Sequence, residues 1–181
     1  MKIKHAAALK GAESLIGAKI AEIAGRSGAH PLAGVDLDNL SFSEPHDVYV
    51  AQLKDVASGA LDARKTGSRF LLVEGGRAVA DIEFDTQSAF AGLHQGPFVA
   101  ATVKGLMCAV ANQQYAAEYE LRFLKIPALY LVCLWFVNGA EQVFMPLEPA
   151  PHGIEACRLY SEKDLLNAIV PLAQATSVAH N

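Results

Sequence analysis

Asp81, Glu83 and Asp85 alternate with Ile82 and Phe84 in one short run. At the two-residue period of a strand, the three carboxylates share a face and stand about 7 Å apart along it. Such a row can hold a hard cation, or supply an acid and a base. A solvated strand face has the same appearance, so the chemical and the structural readings stand side by side. A neighbouring strand carrying Glu120 and Arg122 would let Arg122 neutralise the row.

A second possible chemistry is nucleophilic. A reactive cysteine needs its thiolate near a histidine, commonly at the start of a helix. Cys108 falls well inside an expected helix and Cys133 inside an apolar strand. Cys157 lies in a loop five residues after His152 and beside Arg158. His46, His94 and His152 are all expected in loops, which could converge at one end of a sheet. The candidate catalytic set is therefore His94, His152 and Cys157, and the candidate metal ligands are Asp81, Glu83 and Asp85. For each, the plainer alternative is a solvated or half-buried structural residue.

Other signatures are missing. There is no HxH, HExxH or zinc-type spacing, and the Asp36, Asp38, Asn39 group lacks the glycine and distal glutamate of a calcium loop. Gly92 to Gly96 precedes an expected helix, whose free N–H groups suit an anion, yet the run is neither a Walker motif nor a GxGxxG after a strand. GxSxG and SxxK are absent. No cofactor is implied.

Composition sets wider bounds. Apolar residues make up 52% and charged residues 19%, with a net charge of -4 and no basic block. That describes a well-buried globular chain and speaks against a nucleic-acid partner. Three cysteines without a CxxC read as reduced thiols in a cytoplasmic protein. Lys10, Glu13, Lys19 and Glu22 interrupt any signal-like segment, and the apolar run 128–137 is too short for a membrane helix, so no membrane partner is expected.

The elements that must position these residues centre on Tyr119 to Leu147. This stretch reads as three strands, with 128–137 apolar at both parities and therefore covered on both faces. Gly75-Gly76 and Asn138-Gly139 mark hairpins. Leu9, Ala12, Ile16, Ile20 and Ile23 predict a helix over 5–24, either packed on the body or exchanged as an arm. A helix over 98–112 carries Val99, Val103, Leu106, Met107 and Val110 on one stripe. Its other side holds the small residues Ala101, Gly105, Cys108 and Ala109, and most of its circumference is expected to be buried. Ser161 and Asp164 cap a last helix that Pro171 should end or kink, with fraying from Thr176 onward.

The order of LSFSEPHDVYV, the Gly-Gly hairpin, LRFLKIPALYLVCLWF, VFMPLE and a terminal amphipathic helix resembles a family of uncharacterised bacterial α+β proteins with no assigned function. The likeness spans about residues 40–173 and implies an α+β fold, without a catalytic residue, cofactor or substrate. The fold expected is thus one α+β domain over 1–181. Its mainly antiparallel sheet has five to six strands, with 128–137 near the centre and helices packed on it. Cover for the second face of that strand comes from the N-terminal helix or from a second subunit, which would make a homodimer. The function expected is a small soluble, non-enzymatic binding or interaction protein for a protein partner or a small apolar ligand. The alternative is an enzyme with a loop-borne His/Cys site of hydrolase type.

Overall fold

The computed structural model describes residues 1–7, 9–27 and 30–179. Its ten strands, counted among the described residues, are β1 (Lys2–Lys4), β2 (Leu40–Phe42), β3 (His46–Ala51), β4 (Ala63–Glu74), β5 (Arg77–Asp85), β6 (Phe90–His94), β7 (Glu118–Ile126), β8 (Leu131–Asn138), β9 (Glu141–Pro146) and β10 (Tyr160–Ser161). The four helices are α1 (Ala12–Ala24), α2 (Leu53–Ala57), α3 (Pro97–Ala111) and α4 (Glu162–Ala179). All ten strands form one sheet, ordered β10-β9-β8-β7-β3-β4-β5-β6, with β1 added to β7 and β2 to β4. The α+β class is as expected, but a sheet of five to six strands is not what forms.

The pairing corrects the expectation further. β7 is joined in parallel by both β1 and β3, so the sheet is mixed. β1 lies along residues 118–120 of β7 and β3 along 122–125, end to end on one edge. The middle of the sheet is therefore β7 and β3. The apolar strand lies to one side and begins at Leu131, because Pro127–Leu129 form a 3-10 turn and Tyr130 takes a positive φ of 50°. The N-terminal helix is likewise shorter than expected: residues 2–4 pair as a strand, and α1 starts after Gly11.

Register assigns the faces, because paired residues point to the same side. On one face, Leu121, Phe123, Leu134, Phe136, Val143 and Met145 meet Ala101 and Ala109 of α3. On the other, Cys133, Trp135 and Phe144 meet Leu165 and Ile169 of α4 and Val56 of α2. Farther along that second face, Phe70, Leu72, Ile82 and Phe84 meet Ile16 and Ile23 of α1. Both faces of β8 are thus covered by the chain's own helices, α3 on one side and α4 with α2 on the other. No second subunit is needed for that purpose.

Two helices depart from their sequence patterns. α3 buries its small side, and Val103, Met107 and Val110 face outward. The sheet below is already filled by large side chains, and a Cβ at Gly105 would come within 2.7 Å of Leu147 and 3.0 Å of Leu134. α4 runs through Pro171 to Ala179, since its buried stripe of Leu165, Ile169 and Ala173 continues past the proline. The expected Ser161–Asp164 cap forms at its start, with the Asp164 N–H donating to Ser161 Oγ at 3.1 Å. Thr176 to Ala179 belong to α4, while His180 and Asn181 lie outside the described residues. No described helix is long and apolar enough to cross a membrane.

Gly67 is the tightest point of the β4 ladder. The β3–β4 register slips there, pairing Val48 with Gly67 and Tyr49 with Lys65. A Cβ on Gly67 would lie 1.9 Å from the carbonyl oxygen of Phe84, a backbone atom with no freedom to rotate away. Gly67→Ala is expected to destabilise the fold by about 2–3 kcal/mol, as overpacking does in other close-packed sites. Equilibrium denaturant unfolding measures this, and a loss near zero would show that the two strands separate easily.

Candidate functional site

The site starts from Arg69. Strand alternation in β4 points it toward α3, where it is 1% exposed. Its Nη1 donates to Thr102 Oγ1 at 3.0 Å and its Nη2 to Asp81 Oδ2 at 2.8 Å. The guanidinium lies over the Phe123 ring at 4.2 Å, a cation–π contact. Nε has no hydrogen-bond partner. Thr102 is itself anchored, donating to the Phe98 carbonyl one turn back in α3.

Asp81 carries the row outward. Its second oxygen, Oδ1, lies 2.9 Å from His94 Nδ1. β5 and β6 pair Asp81 directly with His94, so the contact follows from register. The His94 ring folds back over Gly92, where a Cβ would come within 2.7 Å of its Cε1 and Nε2. In the neutral ring, donation from Nδ1 to the carboxylate leaves Nε2 as an acceptor. No hydrogen bond reaches Nε2 among the described residues. Beyond Asp81 on the same face, Glu83 is bonded to Lys125 Nζ from β7.

These contacts set the protonation of the group. Burial pushes the Asp81 carboxyl up, but the hydrogen bond from His94 and the charge of Arg69 together hold it below its ordinary 3.8. The same hydrogen bond holds the His94 imidazole above 6.5, against partial burial. His46 behaves oppositely. It starts β3 beside Arg69, where β1 ends, and its ring stacks on that of His5 at 5.9 Å. Burial, then the neighbouring Arg69 charge, pushes it down to about 3, and its Nδ1 has no partner.

Arg69, Asp81, Glu83 and His94 border a pocket of about 310 Å³. Its walls are Phe98 and Val99 from α3, Phe123 and Lys125 from β7, and Pro127, Tyr130, Leu131 and Val132 around the 3-10 turn. The Phe98 and Tyr130 rings lie 5.2 Å apart. Gln95, Gly96 and Pro97, at the start of α3, complete the rim.

Of the candidate residues, Asp81, Glu83 and His94 come together, each offering one ligand atom within 4.8 Å of the others. As cation ligands they fit poorly, because Arg69 and Lys125 already neutralise the two carboxylates and would repel an added cation. Asp85 acts locally. Its Oδ1 accepts from the N–H groups of Gln87 and Ala89, both at 2.8 Å, and shapes the β5–β6 turn. His152 is exposed in a turn. Cys157 sits beside Cys108, and burial followed by that neighbour pushes its thiol up to about 11. The structure thus brings His94 to Asp81 and Cys157 to Cys108, not the two to each other.

Several expectations about position change as well. His46 and His94 are strand residues, not loop residues. Asp81 is 5% exposed, so the row is only partly a solvated face. Arg122 points to the opposite side of the sheet, over Tyr49 and Trp135, and bonds Glu120. Arg69 and Lys125, neither singled out from sequence, do the neutralising instead.

Comparison of the chain with protein-family models, with curated proteins and with solved structures finds no match in any of the three. The chemistry of the site is accordingly inferred from its geometry.

The two histidines predict opposite limbs in a stability–pH profile. His46 has a folded pKa below its unfolded value, so its contribution is intact above about pH 6.5 and falls as pH drops toward about 3. The slope from this one group approaches roughly 1.4 kcal/mol per pH unit. Asp81 adds to the acid loss only below its ordinary 3.8. His94 has a raised folded pKa, so its contribution is complete below 6.5 and is lost as pH rises through the folded value. His46→Gln is expected to flatten the acid limb, and His94→Gln the shallow limb above 6.5. In NMR titrations the His94 ring should titrate above 6.5, and Asp81→Asn should return it toward that value.

Proposed function

We propose that the protein binds a small organic molecule with an apolar body in the pocket between the start of α3 and the sheet. The observation that carries this is a polar row that runs from buried Thr102, Arg69 and Asp81 to exposed His94 and ends in a recess with aromatic and aliphatic walls. Binding sites commonly pair apolar walls with a few fixed polar groups, and this volume lies at the lower end of their usual range of about 300–1,000 Å³. Buried ion pairs contribute little net stability over apolar packing of the same volume. The Arg69–Asp81 pair is therefore better accounted for by a ligand than by the fold alone.

Methyl NMR tests the proposal with phenol, indole and cyclohexanol as neutral probes. Millimolar probe is expected to shift the methyls of Val99 and Val132, which face the pocket, and to leave those packed on α4 unmoved. Tyr130→Asn removes a wall at a position whose positive φ asparagine accepts, and should weaken the response several-fold. No shift at those methyls with any probe would refute the site.

The Asp81–His94 contact supports a second reading, hydrolytic and without a cysteine nucleophile. Asp81 would orient the ring, and His94 Nε2 would take a proton from a water attacking an ester of similar apolar shape. Turnover of 4-nitrophenyl acetate that disappears in His94→Gln is the expected sign. Rates equal in the two proteins would leave binding as the function.

A further inference from the structure

We propose that the pocket's ligand is a monocarboxylate, with its apolar body against Phe98, Phe123 and Tyr130 and its carboxylate received by Lys125, Arg69 and the first turn of α3. This rests on the binding role proposed above and names the chemical class bound.

The hydrogen-bonding groups around the pocket are unevenly matched. The two carboxylates, Asp81 and Glu83, are each taken by a cation. The donors are not exhausted. Lys125 bonds Glu83 and has further N–H groups to give. Arg69, 1% exposed and bordering the pocket, leaves Nε without a partner. α3 has no side-chain cap and no acidic residue in its first turn, so the positive end of its dipole is uncompensated there. Gly96, the residue before α3, has a φ of 144°, a conformation that glycine adopts far more readily than other residues. Pro97 brings no N–H, and the Val99 N–H bonds back to Gly96, which leaves the Phe98 N–H for a ligand. Spare donors on three elements around one recess call for an acceptor that carries negative charge.

Two features narrow the class. Asp81 and Glu83 remain in the pocket as negative charges, so a single negative charge is tolerated better than the two of a phosphate monoester. The walls are largely apolar, so the carboxylate is attached to a hydrocarbon or aryl body that fills them. His94 also borders the pocket, and when its ring is protonated Nε2–H can donate to the carboxylate while Nδ1–H stays on Asp81.

The test is titration calorimetry on the full chain with matched pairs, benzoate against benzamide and hexanoate against hexanamide, and with phenyl phosphate. Each carboxylate is expected to bind at least about ten-fold more tightly than its amide, as charged hydrogen bonds allow. The double variant Lys125→Met/Glu83→Gln removes a cation and its partner together, which avoids stranding a carboxylate. It should cut the acid-over-amide preference several-fold while amide binding persists, because Arg69 and the first turn of α3 remain. Equal affinity for acid and amide overturns the carboxylate class but leaves the pocket's binding role standing. Tighter binding of phenyl phosphate than of benzoate overturns it in favour of a dianion. A thermal shift with manganese that vanishes in Glu83→Gln overturns it in favour of a cation. Failure of every acid and amide to bind refutes the binding role itself, and this inference with it.

Discussion

A guanidinium in the interior is the constraint on which the arrangement turns. An ion taken out of water costs several kcal/mol even after relaxation, unless its partners are in place. Arg69 meets that demand with three contacts from three separate elements: Asp81 on β5, Thr102 on α3 and the face of Phe123 on β7. β4 is thereby tied to strands on both sides and to the helix above. α3 can descend far enough for Thr102 to reach only because its lower side is Ala101, Gly105 and Ala109. The small side of the helix and the charged floor beneath it are one arrangement.

The sheet is divided along its width by what covers it. Where β7, β8 and β9 lie under α3, the interface is apolar throughout. Where α3 begins, over β4 and β5, the sheet carries Arg69, Asp81 and Glu83 instead. The 3-10 turn after β7 holds Tyr130 beside Phe98, so the recess forms at the border between the two regions. A pocket at such a border has apolar walls on one side and fixed charge on the other.

Much of the apolar framework is legible in the sequence. The alternation of β5, the Gly-Gly turn, the α1 stripe and the Ser161–Asp164 cap all form as their residues imply. The strand count is not legible, since β1, β2 and β10 have only two or three residues and are too short to show a period. The placement of Arg69 is hidden by one residue. Counting back from the Glu74–Arg77 pair would set Arg69 opposite Ile82, on the wrong face. A bulge leaves Val79 unpaired, so Leu72 meets Ala80 and Arg69 meets Glu83. A one-residue slip inverts every side chain beyond it, and no composition rule reveals where it falls. The outward stripe of α3 is hidden for a related reason. Helical periodicity reports which residues share a side, whereas the space left by Leu134 and Leu147 decides which side faces in.

The double parallel pairing on β7 also orders events in time. Residues 2–4 find their partners only at 118–120, and β3 finds its own at 122–125. On a ribosome extending the chain by about 5–20 residues per second, the first strand waits roughly 6–23 s for its neighbour to be made. Until β7 emerges, β4, β5 and β6 can form a meander, with Arg69 and Asp81 already diagonal neighbours across its ladder. The cation–π contact and the cover of α3 come later. Chain order thus allows the charged pair to form while water still reaches it, before the apolar surroundings that make it a pocket are in place.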